Sequence, residues 1–129
     1  MGHLTALRLA NFALALLATS TAAAVAHTWT LPVMNGEGGE VGLAWLGGLG
    51  ALIFAGLGLA HVVVGLALGR GRGRGLQTLL ALALIVTFPI GTAYALYALW
   101  VCWANPETRR HLGDDAPASS ALVLSTVPA

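Results

Sequence analysis

Uninterrupted apolar length constrains this chain most. The runs from Val41 to Gly69 and from Leu76 to Ala104 both exceed the roughly 20 residues that a helix needs to cross the hydrocarbon layer of a bilayer. A third run, Leu9 to Ala26, comes close to that length. Backbone in lipid must be bonded within its own segment or in a closed barrel, and no alternation of period two supports a barrel. The expected fold is therefore all-α: an integral membrane bundle of three transmembrane helices, with spans about 9–26, 41–69 and 76–104 inside a domain covering residues 1–112. Composition agrees, with 57% hydrophobic and 9% charged residues, against about 25% charged in soluble domains. The segment 113–129, "GDDAPASSALVLSTVPA", is small, polar and proline-bearing and reads as a flexible tail.

Arginine placement sets an expected threading. Arg8 precedes the first run, and Arg70, Arg72 and Arg74 fill the turn between the second and third. The opposite loop carries Glu37 and Glu40 but no arginine, while Arg109 and Arg110 follow the third run. The positive-inside rule then puts the N-terminus inside and the C-terminus outside. Trp29, Trp45, Trp100 and Trp103 all fall at the expected outer surface, as an interfacial belt. Abundant alanine, glycine and arginine without lysine point to a GC-rich bacterial genome, hence a bacterial cytoplasmic membrane. A competing reading takes the first run as a secretory signal cleaved after Ala26, at the A-x-A pattern "AVA".

Several function classes are disfavoured. A net charge of +1 and the lack of a basic face argue against nucleic-acid binding. One cysteine, Cys102, allows no internal disulfide and no CxxC motif. Glu37, Glu40, Glu107, Asp114 and Asp115 all lie outside the expected spans, which disfavours carboxylate-based ion transport. Neither a nucleophile–base pair nor a nucleotide loop is visible, so the chain is read as non-enzymatic.

The second run bears a stripe of small residues, Ala44, Gly47, Ala51, Ala55, Gly58 and Gly65, continuing to Gly69. Such a stripe lets another helix approach closely, either within the chain or in a homo-oligomer, and the internal interface is preferred. His61 lies about 12 Å from the arginine end of that helix at 1.5 Å per residue. As a costly polar ring it is the candidate cofactor residue, a haem or chlorin ligand with Gly58 and Gly65 leaving room for a flat ring. The plainer reading is a neutral histidine hydrogen-bonded inside the bundle, to Asn11 or through water. Pro89, with Gly91 beside it, is expected to kink the third helix by depriving the Ile85 carbonyl of its donor. Thr19, Ser20, Thr21, Thr87 and Thr92 are expected to bond back to helix carbonyls.

The run "TFPIGTAYALYALWVCWANPETRRHL" resembles a C-terminal signature of small uncharacterised bacterial multi-span membrane proteins. In these a segment like "NFPIGTALGIYALWVLLNEETKALF" follows a basic turn and a glycine-rich span. The matching positions are Phe88, Pro89, Ile90, Gly91, Thr92, Ala93, Tyr97, Ala98, Leu99, Trp100, Val101, Glu107 and Thr108. The turn "GRGRGRG" lacks the bulky residues usual in that family. The resemblance implies a membrane architecture and carries no reaction.

The function expected from all this is an accessory or scaffolding subunit. It would work through helix packing, with the lipid bilayer and its own copies or a larger membrane complex as partners. The alternative is a tetrapyrrole- or metal-binding subunit for electron transfer or pigment binding, using His61. A pore lined by the second helix is a third idea.

Overall fold

The computed structural model describes residues 2–37, 40–86 and 89–113, and every regular element among them is helical. Thr87, Phe88 and the tail from Asp114 onward lie outside the described residues. Helix α1, Gly2–Val25, runs through a π-helical turn, Ala26–Thr30, into a short α2, Leu31–Met34. Together they form a rod of 33 residues. Pro32 explains the change of pitch: it has no N–H for the Thr28 carbonyl, and the Leu31 N–H just before it reaches back to Ala26. Helix α3, Val41–Gly69, has the bounds expected from its apolar run. These two rods are long and apolar enough to cross a membrane.

The segment read as a third span is not one kinked helix. It is two helices, α4 from Arg74 to Leu84 and α5 from Ile90 to Trp103, folded back on each other. The Trp103 Nε1–H donates to Thr78 Oγ1 at 3.0 Å, and the Arg74 guanidinium lies 3.6 Å from the centroid of the Trp103 ring. On one continuous helix Thr78 and Trp103 would stand about 37 Å apart. The limbs, 11 and 14 residues long, reach only about 16 and 21 Å, short of the roughly 30 Å hydrocarbon layer.

Pro89 is the reason the helix ends where it does. It stands at the N-cap of α5, where a missing N–H breaks no helical bond. The carbonyl of Ile85 takes the hydroxyl of Thr92 instead, at 2.7 Å. The sequence led to the expectation of a bond from Thr92 to a carbonyl of its own helix; this one crosses the turn, seven residues back. Thr19 and Thr21 likewise bond back four residues to Ala15 and Leu17, and Ser20 bonds three residues back to Leu17.

The arginine–glycine repeat makes the other sharp turn. Gly71 and Gly73 have φ of 71° and 88°, the left-handed region that suits glycine. Arg72 N–H donates to the Ala67 carbonyl and Gly71 N–H to that of Leu68, a Schellman closure of α3. After α5 the chain stops at Ala104 and restarts as α6, Pro106–His111. Asn105 caps this helix, its Oδ1 accepting from the backbone N–H of Thr108 at 3.1 Å.

These turns bring both ends of the described chain to one end of the bundle. His3 stacks edge-on against Trp100 with centroids 5.0 Å apart, and a Cβ on Gly71 would meet the His111 carbonyl at 2.7 Å. Trp100 and Trp103 therefore lie at the opposite end of the bundle from Trp29 and Trp45, and not at one end with them as a single belt requires, and α6 lies at the same end as the start of α1. All six arginines now fall at that one end.

Helices α1 and α3 pack along the small-residue stripe. A Cβ on Gly58 would sit 2.7 Å from Thr19 Oγ1 and 3.2 Å from the Ala15 carbonyl, and one on Gly65 would sit 3.1 Å from the Phe12 ring. Gly47 faces the Cβ of Trp29, and Arg8 lies across Gly69 with its Nε donating to the Gly65 carbonyl at 3.2 Å. Ala44 is buried in the same seam, Ala51 is half-buried, and Ala55 faces outward. Gly56 on the outward face has open space around it.

These two glycines separate close packing from helix propensity. Gly58→Ala should destabilise the fold by about 1–3 kcal/mol, because the methyl group collides with the Thr19 hydroxyl and crowds the Ala15 carbonyl. Gly56→Ala should be neutral or stabilise by up to about 1 kcal/mol. Equilibrium unfolding in mixed detergent–denaturant micelles, followed by circular dichroism, measures both.

Candidate functional site

A polar cluster built from four helices lies inside this apolar bundle. Asn11 of α1, His61 of α3 and Gln77 of α4 are each at most 1% exposed, and Tyr94 of α5 joins them half-buried. The Asn11 side chain is the hub. Its Nδ2 donates to the Leu7 carbonyl at 3.0 Å and to Gln77 Oε1 at 2.9 Å. Its Oδ1 accepts from Tyr94 at 3.1 Å and lies 2.9 Å from His61 Nδ1. Gln77 Nε2 closes a ring by donating to the Tyr94 oxygen at 3.0 Å.

This circuit fixes the tautomer of His61, whose ring is neutral in so apolar a setting. The Leu7 carbonyl can only accept, so the Asn11 atom facing it is the nitrogen and the other is the oxygen. That oxygen can only accept, so His61 carries its proton on Nδ1. The remaining ring nitrogen, Nε2, then holds a lone pair. It has no partner among the described residues, yet it is not sealed off from the space beside it.

That space is a cavity of about 300 Å³ between α1, α3 and the tip of the α4–α5 hairpin. Leu14 and Leu17 come from α1, Phe54 and Leu57 from α3, and Leu84 and Ile90 from the two limbs of the hairpin. His61, Tyr94 and Thr21 supply the polar atoms of an otherwise apolar wall. A larger cleft of about 680 Å³ at the other end, lined by Trp45, Val41 and Met34 among others, has no titratable side chain.

The sequence named His61 and its partner Asn11, and the structure joins them. It missed Gln77. The available signal was a lone glutamine among leucines, at the start of the segment read as the third span. The Tyr94 hydroxyl has two polar partners, Gln77 and Asn11. The space that Gly58 and Gly65 were expected to leave is taken by Thr19 and by Phe12. A tetrapyrrole does not fit on the glycine face. His3, His27 and His111 stand near the ends of the bundle, Cys102 is buried as a free thiol, and Pro89 and Gly91 belong to the hairpin tip.

No protein-family model matches the chain, and neither a curated protein nor a solved structure is significantly similar to it.

The four-way bonding of Asn11 predicts an order of sensitivities. Asn11→Leu should cost about 2 kcal/mol or more, because it strips partners from three buried groups at once. Tyr94→Phe should cost about 1 kcal/mol, since Asn11 keeps His61 and Gln77. Adding Gln77→Leu to Asn11→Leu should cost less than the sum of the two single changes, as shared partners require. Unfolding in micelles of the single and double variants gives the comparison.

Proposed function

We propose that this chain is a small integral protein of a bacterial cytoplasmic membrane, non-enzymatic, acting as an accessory or scaffolding subunit through helix packing. The observation that carries the reading is the outward face. Leu16 of α1, Leu52 and Leu59 of α3, Leu79 of α4 and Ile90 of α5 are each between 64% and 79% exposed. In water such a continuous apolar surface drives aggregation, and in lipid it is the solvated face. Within the apolar windows of the two long rods only 22% and 28% of residues are buried, unlike the core helices of a soluble protein.

In this reading α1 and α3 span, and the α4–α5 hairpin is re-entrant, entering and leaving on the arginine side. Non-spanning backbone at membrane depth is tolerated where protein covers it or a cavity adjoins it, and the tip at Leu84 to Ile90 adjoins the cavity above His61. Six arginines at one end support a cytoplasmic location for that end, so both ends of the described chain lie inside. The scaffolding role is supported by how Asn11, Gln77 and Tyr94 satisfy one another. Their polar atoms join helices and leave no activated nucleophile among them. Since the small-residue stripe faces α1, homo-oligomer or complex contacts would use the leucine-rich outer surfaces, and a pore along α3 loses its lining.

Labelling tests the threading. In a Cys102→Ala background, Glu37→Cys protein in intact spheroplasts should react with a membrane-impermeant maleimide. Arg110→Cys protein should react only after permeabilisation. Labelling of Arg110→Cys protein from outside would restore the three-span threading.

A further inference from the structure

We infer that the cavity beside His61 binds an apolar, membrane-soluble molecule through a single hydroxyl, which donates its proton to His61 Nε2. The inference rests on the membrane reading, because the cavity would take its occupant sideways from lipid. His61 is 1% exposed and lines a cavity of about 300 Å³, and its Nε2 has no hydrogen-bond partner among the described residues. A buried lone pair left unmatched costs free energy that a hydroxyl group would recover.

The chemistry of the wall selects the ligand. Asn11 holds the His61 proton on Nδ1, so the ring offers the cavity an acceptor and no donor. The Tyr94 hydroxyl proton is committed to Asn11, and that of Thr21 to the Leu17 carbonyl. A ketone, quinone or ether brings only acceptors and finds no donor there. A carboxylate would bring a charge into an apolar wall formed by Leu14, Leu17, Phe54 and Leu57. A phenol, a quinol or a long-chain alcohol brings the one donor the site can use, on a body that suits the wall. This is binding, with no covalent step.

The experiment compares each alcohol with its own methyl ether, which keeps the apolar body and removes the donor. Flotation with phosphatidylethanolamine–phosphatidylglycerol vesicles comes first. Failure to float overturns the membrane reading and is distinct from the binding result. Protein in nanodiscs is then titrated with thymol, thymol methyl ether, dodecanol and dodecanol methyl ether, following Tm and the nitrogen NMR resonance of His61 Nε2. In at least one pair the alcohol should bind about tenfold more tightly than the ether, the worth of one buried hydrogen bond. The Nε2 resonance should move only with the alcohol. Preference within the thymol pair points to phenolic ligands, and within the dodecanol pair to aliphatic ones.

Leu57→Trp fills the cavity from its wall and leaves the Asn11–His61 bond in place, so it should abolish the preference. Equal binding of alcohol and ether in both pairs, a resonance that does not move, or a preference that survives Leu57→Trp would each overturn the inference.

Discussion

A single carboxamide, that of Asn11, links every long helix of this bundle. It bonds to its own helix at Leu7 and reaches His61, Gln77 and Tyr94 on three others. In lipid, apolar side chains gain little by leaving the solvent for one another, so polar bonds and close van der Waals contact must hold helices in register. The hairpin depends most on this amide. Its limbs are too short to be placed by span length, and Gln77 and Tyr94 fix both of them to the α1–α3 pair at the same level.

Close contact supplies the rest. Gly58 and Gly65 bring α3 against Thr19 and Phe12, and Gly69 lets the Arg8 guanidinium lie flat against the helix. The two mechanisms are coupled, because Asn11 reaches His61 only when the helices approach this closely. A methyl group at Gly65 would come 3.5 Å from the Asn11 Cβ, so packing and polar bonding share one short stretch of the interface.

The legible features were those that local chemistry dictates. The bounds of α3 follow from an apolar run between Glu40 and Arg70, and the arginine–glycine turn follows from residues that tolerate positive φ. The pairing of His61 with Asn11 was readable because so few polar side chains occupy comparable depth. The hairpin was not. Apolar length and a central proline say that a helix is interrupted, but they do not say whether the chain continues onward or turns back. That choice is made by Trp103 meeting Thr78 and Arg74, contacts that no periodicity encodes. Gln77 went unnoticed for the same reason: only the reversal brings it beside Asn11 and Tyr94.

Gathering every arginine at one end also simplifies how such a chain enters a bilayer. In the proposed threading, the segment to be carried fully across is the short connection between α2 and α3, which bears Glu37 and Glu40 and no cation. A re-entrant hairpin adds no second translocated loop, since it dips in and returns. Insertion then reduces to pushing one small acidic tip through the hydrocarbon, with the membrane potential, negative inside, favouring the outward passage of its two carboxylates by about 2.3 kcal/mol per charge per 100 mV if they cross ionised. The arginine end never leaves the side on which it is made.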